Sequence, residues 1–251
     1  ICLTFMFRVL FDRIYEKFFE NGIDKKEMGE AKILKIISSL NEKKNKYESM
    51  KHLPMSAFTW PKDYIPSEPL TAELIEIQNN NNNKNEEEST IDKNKDKNDG
   101  SSNIKSNDKI PFFVQDMPVR KFFRLDYYFS PAIEFLELSN FCTNPIDALY
   151  YVHKCLISVQ KAAIIHSINK RKNRRVEQKE LNQVICFDDL FSLTLGVFLA
   201  SDVPDIFALN WFVQNYTPKN ELSPPLEYAK ANLEGLTQHI ATVDLGNSLG
   251  K

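Results

Sequence analysis

Apolar residues recur at helical spacing along most of the chain. Between residues 3 and 20 they fall on one side of a helix, with charged residues opposite: Phe7, Leu10, Phe11, Ile14, Phe18 and Phe19. The same spacing predicts helices over 25–41, 130–138, 145–164, 186–200, 205–216 and 226–243, and a short one over 71–77. Strand signals are few and short. We therefore expect an all-α protein whose helices form a single layered domain.

Several helix boundaries carry signals of their own. Ser130-Pro131 and Thr143-Asn144-Pro145 place proline in the first turn, where its missing N–H removes no intrahelical bond. Asn21-Gly22 is a typical helix stop, and Val203-Pro204 turns the chain into the next helix.

The composition changes abruptly in the middle of the chain. From residue 78 to 109 it is almost wholly Asn, Lys, Asp, Glu and Ser. Such a segment buries too little apolar surface to offset its ordering entropy, so we expect it to be disordered. A binding tail or a phosphorylation platform is the alternative. The division is then helices over 1–77, the insert over 78–109, the core over 110–243 and a tail over 244–251.

The stretch CFDDLFSLTLGVFLA, at 186–200, organises the rest of the chain. Asp188 and Asp189 open an almost uncharged helix, where carboxylates suit the positive end of the helix dipole. Steps of four from Asp188 reach Ser192, Gly196 and Ala200, a stripe of small residues. The stripe predicts either close packing on another helix or a groove for a partner. From this stretch alone, Asp188 is either an N-cap or a functional carboxylate.

Composition and charge narrow the function classes. A net charge of -2 over 251 residues gives no sign of a nucleic-acid binder. The four cysteines and four histidines show neither CxxC pairs nor metal-ligand spacing, so we expect no metal site, no disulfide framework and no cofactor. The reducing cytoplasm is the simplest location.

The first eleven residues, ICLTFMFRVLF, are apolar but too short to span a bilayer, and they lack the features of a signal peptide. Because the chain starts at Ile1 without an initiator methionine, we expect it to be a piece of a longer protein.

Covalent catalysis has no motif in this sequence. GxxxxGK[ST], GxGxxG, GxSxG and HExxH do not occur. His153 and Cys155 are two residues apart on one helix and do not face each other. The basic run KRKNRR, at 170–175, favours a solvated loop, with anionic-lipid binding or a nuclear signal as alternatives.

Three segments in order resemble the vacuolar protein sorting nine (Vps-nine) domain, the guanine-nucleotide exchange module for Rab-five-type GTPases. They are TNPIDAL at 143–149, FDDLFSLTLGVFLA at 187–200 and YAKANLE at 228–234. IYEKFF at 14–19 and HLPMSAF at 52–58 also look like the helical lead-in of that family. The resemblance spans nearly the whole chain apart from the insert.

The resemblance implies a function and a set of site residues. Asp188 matches the aspartate that enters the nucleotide site of the GTPase, where a carboxylate competes for the phosphate-binding lysine and disfavours the phosphates and magnesium. Tyr228 matches a tyrosine that contacts the GTPase. The implied binding surface is Asp189, Ser192, Gly196, Tyr228 and Ala231, with Asp189 also supporting the helix start. The implied partner is a Rab-five-family GTPase in endocytosis and vesicle trafficking, with recruitment to endosomal membranes through other regions.

Four departures from the family pattern keep other functions open. Ser192 replaces a proline, Gly196 a tyrosine, Ala231 a threonine and Ala148 a lysine. The first alternative is a Vps-nine-like scaffold that binds a GTPase, or another protein, without exchange. The second is a helical adaptor with no GTPase partner.

Overall fold

The structure, a computed structural model, describes residues 30–72, 75, 115–172, 185–218 and 222–243. These residues form seven α-helices and no strand. The helices are α1 (Glu30–Lys51), α2 (Val119–Leu125), α3 (Ser130–Leu138), α4 (Pro145–Lys172), α5 (Phe187–Ala200), α6 (Ile206–Tyr216) and α7 (Pro224–Thr242). Short 3₁₀ turns lie at Met55–Ala57 and Ser139–Phe141. The all-α prediction is confirmed for the described residues.

Three helices begin where local start signals stand in the sequence. α3 begins at Ser130 with Pro131 in its first turn, as predicted. Before α4, the side-chain oxygen of Asn144 accepts a hydrogen bond from the Ile146 N–H at 2.8 Å. Before α6, Asp205 Oδ1 accepts one from the Ala208 N–H at 2.9 Å. Each bond satisfies a backbone donor that the helix itself leaves free.

The structure differs from the sequence prediction at two helix ends and in one additional helix, and one of these ends is that of α4, which runs to Lys172 rather than 164. The predicted end of the second helix at Asn41 is wrong, because α1 continues to Lys51. The polar run after Asn41 stays largely at the surface, and burial of Tyr47 and Met50 holds the last turns of α1 against the core. Helix α2, inside an aromatic stretch with no clear period, was not predicted.

Some predictions fall outside the described residues. They are the helix over 3–20, the disordered insert over 78–109, the tail over 244–251 and most of the short helix over 71–77. Within the described ranges, no helix combines the length and the apolar content that crossing a membrane requires.

Helices α4 and α5 form the centre of the fold. α4 packs against α3, α5, α6 and α7, and α5 packs against α1, α2, α3, α4 and α7. Every residue of α5 from Leu193 to Ala200 is buried. The first turn of the same helix is exposed, with Phe187 60% accessible to solvent. One end of the central helix is therefore fixed in the core while the other reaches the surface.

Side chains from two other helices hold the buried end of α5. Tyr47 Oη donates a hydrogen bond to the Phe198 carbonyl at 2.5 Å, and burial raises the pKa of this phenol. Arg124 Nε donates to the Ala200 carbonyl at 2.7 Å, and the same guanidinium pairs with Asp202 at 2.6 Å. Both bonds satisfy carbonyls that a helix C-terminus leaves without intrahelical partners.

A buried polar cluster connects the segment around residue 70 to α4. The Asp126 carboxylate accepts hydrogen bonds from the backbone N–H groups of Leu70, at 3.1 Å, and Tyr128, at 3.0 Å. His166 Nε2 lies 3.1 Å from its Oδ1. Asp126 is wholly buried and His166 is 3% exposed. The carboxylate therefore joins three parts of the chain that are distant in sequence.

Candidate functional site

Cys186, rather than Asp188, caps helix α5. Its Sγ accepts a hydrogen bond from the Asp189 N–H at 3.5 Å, and its backbone is extended. The helix begins one residue later, at Phe187, so Asp188 already lies within the first turn. The interpretation of Asp188 as an N-cap is therefore wrong. The Asp189 backbone N–H is the donor of this capping bond, and the predicted support by its carboxylate stays a prediction.

Asp188 presents a carboxylate at the exposed end of a mostly buried helix. The side chain is exposed, and within the described part of the chain it makes no hydrogen bond or ion pair. It lies in the first turn of α5, near the positive end of the helix dipole. The carboxylate at this position is therefore accessible to a partner.

The small-residue stripe that starts at Asp188 packs mostly inside the protein. Ser192 Oγ donates to the Asp188 carbonyl at 3.0 Å and is half-buried. At Gly196 a Cβ atom would lie 2.2 Å from Cζ of Phe123 on α2. Ala200 is fully buried. The stripe predicted either close helix packing or a groove for a partner. Gly196 and Ala200 take part in close packing.

Phe191 connects the first turn of α5 to helix α7. Its ring meets the His239 ring edge to face at 5.5 Å and would lie 3.9 Å from a Cβ at Gly235. On the other side it lies 6.1 Å from the Phe187 ring. Around the helix, Phe191 falls between Phe187 and Asp188, because residues four and three apart share a face. This contact places the exposed end of α5 against one face of α7.

The predicted α7 residues lie along that same face. Tyr228, Ala231, Gly235 and His239 follow one another at spacings of three and four, which align side chains on a helix. Tyr228 is 40% exposed and Ala231 is exposed. Tyr228 lies about 10 Å along the axis from Gly235, at roughly 1.5 Å per residue. The candidate surface therefore consists of the first turn of α5 and the Tyr228–His239 stripe, which meet at Phe191.

Gly196 is the predicted binding residue that the structure separates from this surface. It is buried beneath Phe123, whereas Asp188, Tyr228 and Ala231 are exposed. Sequence reasoning missed Phe187 as a member of the surface. The signal for it was its place one residue before Asp188, at the only end of α5 that carries charge.

The free energy of unfolding of the protein is expected to depend on pH through His239. Burial, and secondarily the charge of Lys46, lower the pKa of His239 below its ordinary value of 6.5. Between the folded and unfolded pKa values the unfolded chain binds more protons, so this stabilisation is complete above about pH 6.5 and declines as the pH falls. Urea unfolding at about pH 7.5 and about pH 5.5 should show a smaller pH dependence for His239→Gln than for the wild type.

His153 also has a pKa lowered by burial, so the His239→Gln variant should keep part of the pH dependence of the wild type. An identical pH dependence in the wild type and the His239→Gln variant would contradict the role of His239.

His153 and Cys155 form no catalytic pair. Cys155 is wholly buried, and burial raises the pKa of its thiol. A protonated thiol without access to solvent is a poor nucleophile. The structure thus agrees with the expectation from their spacing.

Comparisons of the chain with protein-family models, with curated proteins and with solved structures found no match.

Proposed function

We propose that the protein is a guanine-nucleotide exchange factor domain for a Rab-five-like small GTPase. It promotes GDP release by inserting the Asp188 carboxylate into the nucleotide site, while the surface around Phe191 and Tyr228 holds the switch regions. The observation that carries the proposal is the exposed Asp188 carboxylate, which has no hydrogen bond or ion pair among the described residues although its helix is anchored in the core.

The mechanism needs no covalent chemistry and no cofactor. A carboxylate in the nucleotide site pairs with the lysine that otherwise holds the phosphates, and it repels the phosphates themselves. The domain then binds the nucleotide-free GTPase more tightly than the loaded form. By thermodynamic linkage the same preference weakens nucleotide binding. The fixed C-terminal end of α5 supports this role, because an anchored helix holds the carboxylate in position.

The test is release of a fluorescent GDP from Rab-five-class GTPases in the presence of the domain. We expect the wild type to accelerate release and Asp188→Ala to lose about a hundredfold of that acceleration, in line with the loss of one preorganised electrostatic contact. Asp188→Asn should lose nearly as much, because it keeps the shape and removes the charge. Glu134→Ala, an exposed carboxylate change on α3, is the control for surface charge.

The absence of acceleration with every GTPase of the class would contradict the proposal. Equal rates with the wild type and Asp188→Ala would remove Asp188 from the mechanism.

The second candidate is a Vps-nine-like scaffold that binds a GTPase or another protein without exchange. It is favoured by the cover of Phe123 over Gly196, at a position where the family pattern has a tyrosine. A stable complex whose nucleotide off-rate is unchanged would support this candidate over the first.

The proposed function implies a cellular role for the domain. An exchange factor of this class acts in endocytosis and vesicle trafficking, so we place the domain in the cytoplasm, with recruitment to endosomal or vesicle membranes through regions outside the described residues.

A further inference from the structure

Phe187 is a large apolar side chain placed where α5 leaves the core. Its exposed fraction is 60%, the largest of any apolar residue of this helix. It is the first residue of α5 and precedes Asp188 directly. Exposing a phenyl ring is unfavourable in the isolated domain, and the ring contributes nothing to the cap, which Cys186 provides.

The Phe187 ring rests on a packed base. It lies 6.1 Å from the Phe191 ring, which in turn contacts His239 and the Gly235 position of α7. The side chain has only two torsions, so a partner that covers it restricts little further motion. Aromatic residues that a partner covers carry much of the binding energy in protein interfaces.

We propose that Phe187 is a specificity-determining anchor for the same partner that receives Asp188. This inference rests on the proposed function. Phe187 and Asp188 are consecutive residues of the exposed first turn, about 100° apart around the helix, so a GTPase that encloses this turn to reach the carboxylate also covers the ring. The favoured partner therefore presents an apolar patch at the border of its nucleotide site, and a GTPase with a charged or strongly polar border there binds poorly.

The experiment compares kcat and KM for release of a fluorescent GDP, with the concentration of a Rab-five-class GTPase as the variable. Phe187→Ala is expected to raise KM about tenfold with little change in kcat, as for loss of one apolar interface contact. Phe187→Leu keeps an apolar side chain and should retain most of the affinity. Asp188→Ala should instead lower kcat, which separates the anchor from the carboxylate.

Phe141 offers a matched control on another surface. It is 82% exposed and lies between α3 and α4. Phe141→Ala removes an equally large ring and should leave both constants unchanged. Thermal unfolding of each variant reports whether the fold is intact, and exposed positions of this kind are expected to tolerate alanine.

The outcomes separate this inference from the proposed function. No acceleration by the wild type overturns both. Acceleration by the wild type with the same KM for Phe187→Ala overturns the anchor alone. A rise in KM that Phe141→Ala reproduces also overturns it, because the effect is then not specific to the surface around Asp188.

Discussion

Replacing Asp126 by alanine is expected to lower the free energy of unfolding by about 3–5 kcal/mol, because it removes a buried acceptor that three polar groups share. The carboxylate is wholly buried and accepts hydrogen bonds from the Leu70 and Tyr128 backbones, with His166 Nε2 at 3.1 Å. Alanine leaves the buried His166 ring and the two part-buried backbone N–H groups without that acceptor. Each such group adds a desolvation penalty of about 1–3 kcal/mol.

Urea unfolding, followed by circular dichroism, measures the loss at Asp126. Asp126→Asn keeps the shape and one acceptor oxygen, so it should lose clearly less than Asp126→Ala. Asp116→Ala, at an exposed carboxylate that precedes α2 in the sequence, should change stability by less than about 0.5 kcal/mol.

The contribution of His166 can be isolated with a double-mutant cycle. If the two side chains stabilise each other, the double variant Asp126→Leu/His166→Leu should lose less free energy of unfolding than the two single variants lose in sum. A loss below about 1 kcal/mol for Asp126→Ala would show that the cluster is not important for stability.

Helix starts were predictable because their signals are local. Ser130-Pro131 and Asp205 act through the geometry of the first turn, within three or four residues of themselves. The end of α1 was not predictable from the same kind of signal. Tyr47 extends the helix because its hydroxyl reaches the Phe198 carbonyl on α5, a contact that the sequence around residue 47 cannot show.

The cap of α5 shows how a local rule can select the wrong residue. Aspartate is among the preferred N-caps and cysteine is not, so propensity favours Asp188. The chain instead enters the helix earlier, and the weak acceptor Sγ of Cys186 takes the bond. The error matters for function, because an N-cap carboxylate would be engaged by its own backbone.

The candidate site was predictable in part. The acidic first turn of α5 and the α7 residues were identified through the resemblance, and the structure leaves Asp188 and Tyr228 exposed. The contact between α5 and α7, Phe191 on His239, depends on how the two helices pack. The pattern around Gly196 predicted close approach or a groove, but only the fold shows that Phe123 fills that space.

Gly196→Ala is expected to destabilise the protein by about 2 kcal/mol, although alanine is the better helix former. A Cβ at this position would lie 2.2 Å and 2.3 Å from two atoms of the Phe123 ring. The ring has little room to withdraw, because it is fully buried between Trp60, at 5.3 Å, and Phe129, at 4.9 Å. The overlap therefore outweighs the gain of about 1 kcal/mol that alanine brings to a helix interior.

Gly235→Ala is the matched control, since it makes the same chemical change on α7. Its Cβ would meet the Phe191 ring at 3.9 Å, an ordinary contact, so helix propensity should dominate and stability should rise by up to about 1 kcal/mol. Opposite signs for the two substitutions would identify the Phe123 contact as the cause at Gly196. A shorter side chain in Phe123→Leu should then remove most of the penalty of Gly196→Ala, measured as coupling in a double-mutant cycle. If Gly196→Ala stabilises the protein as Gly235→Ala does, α2 and α5 are not packed as closely as this contact requires.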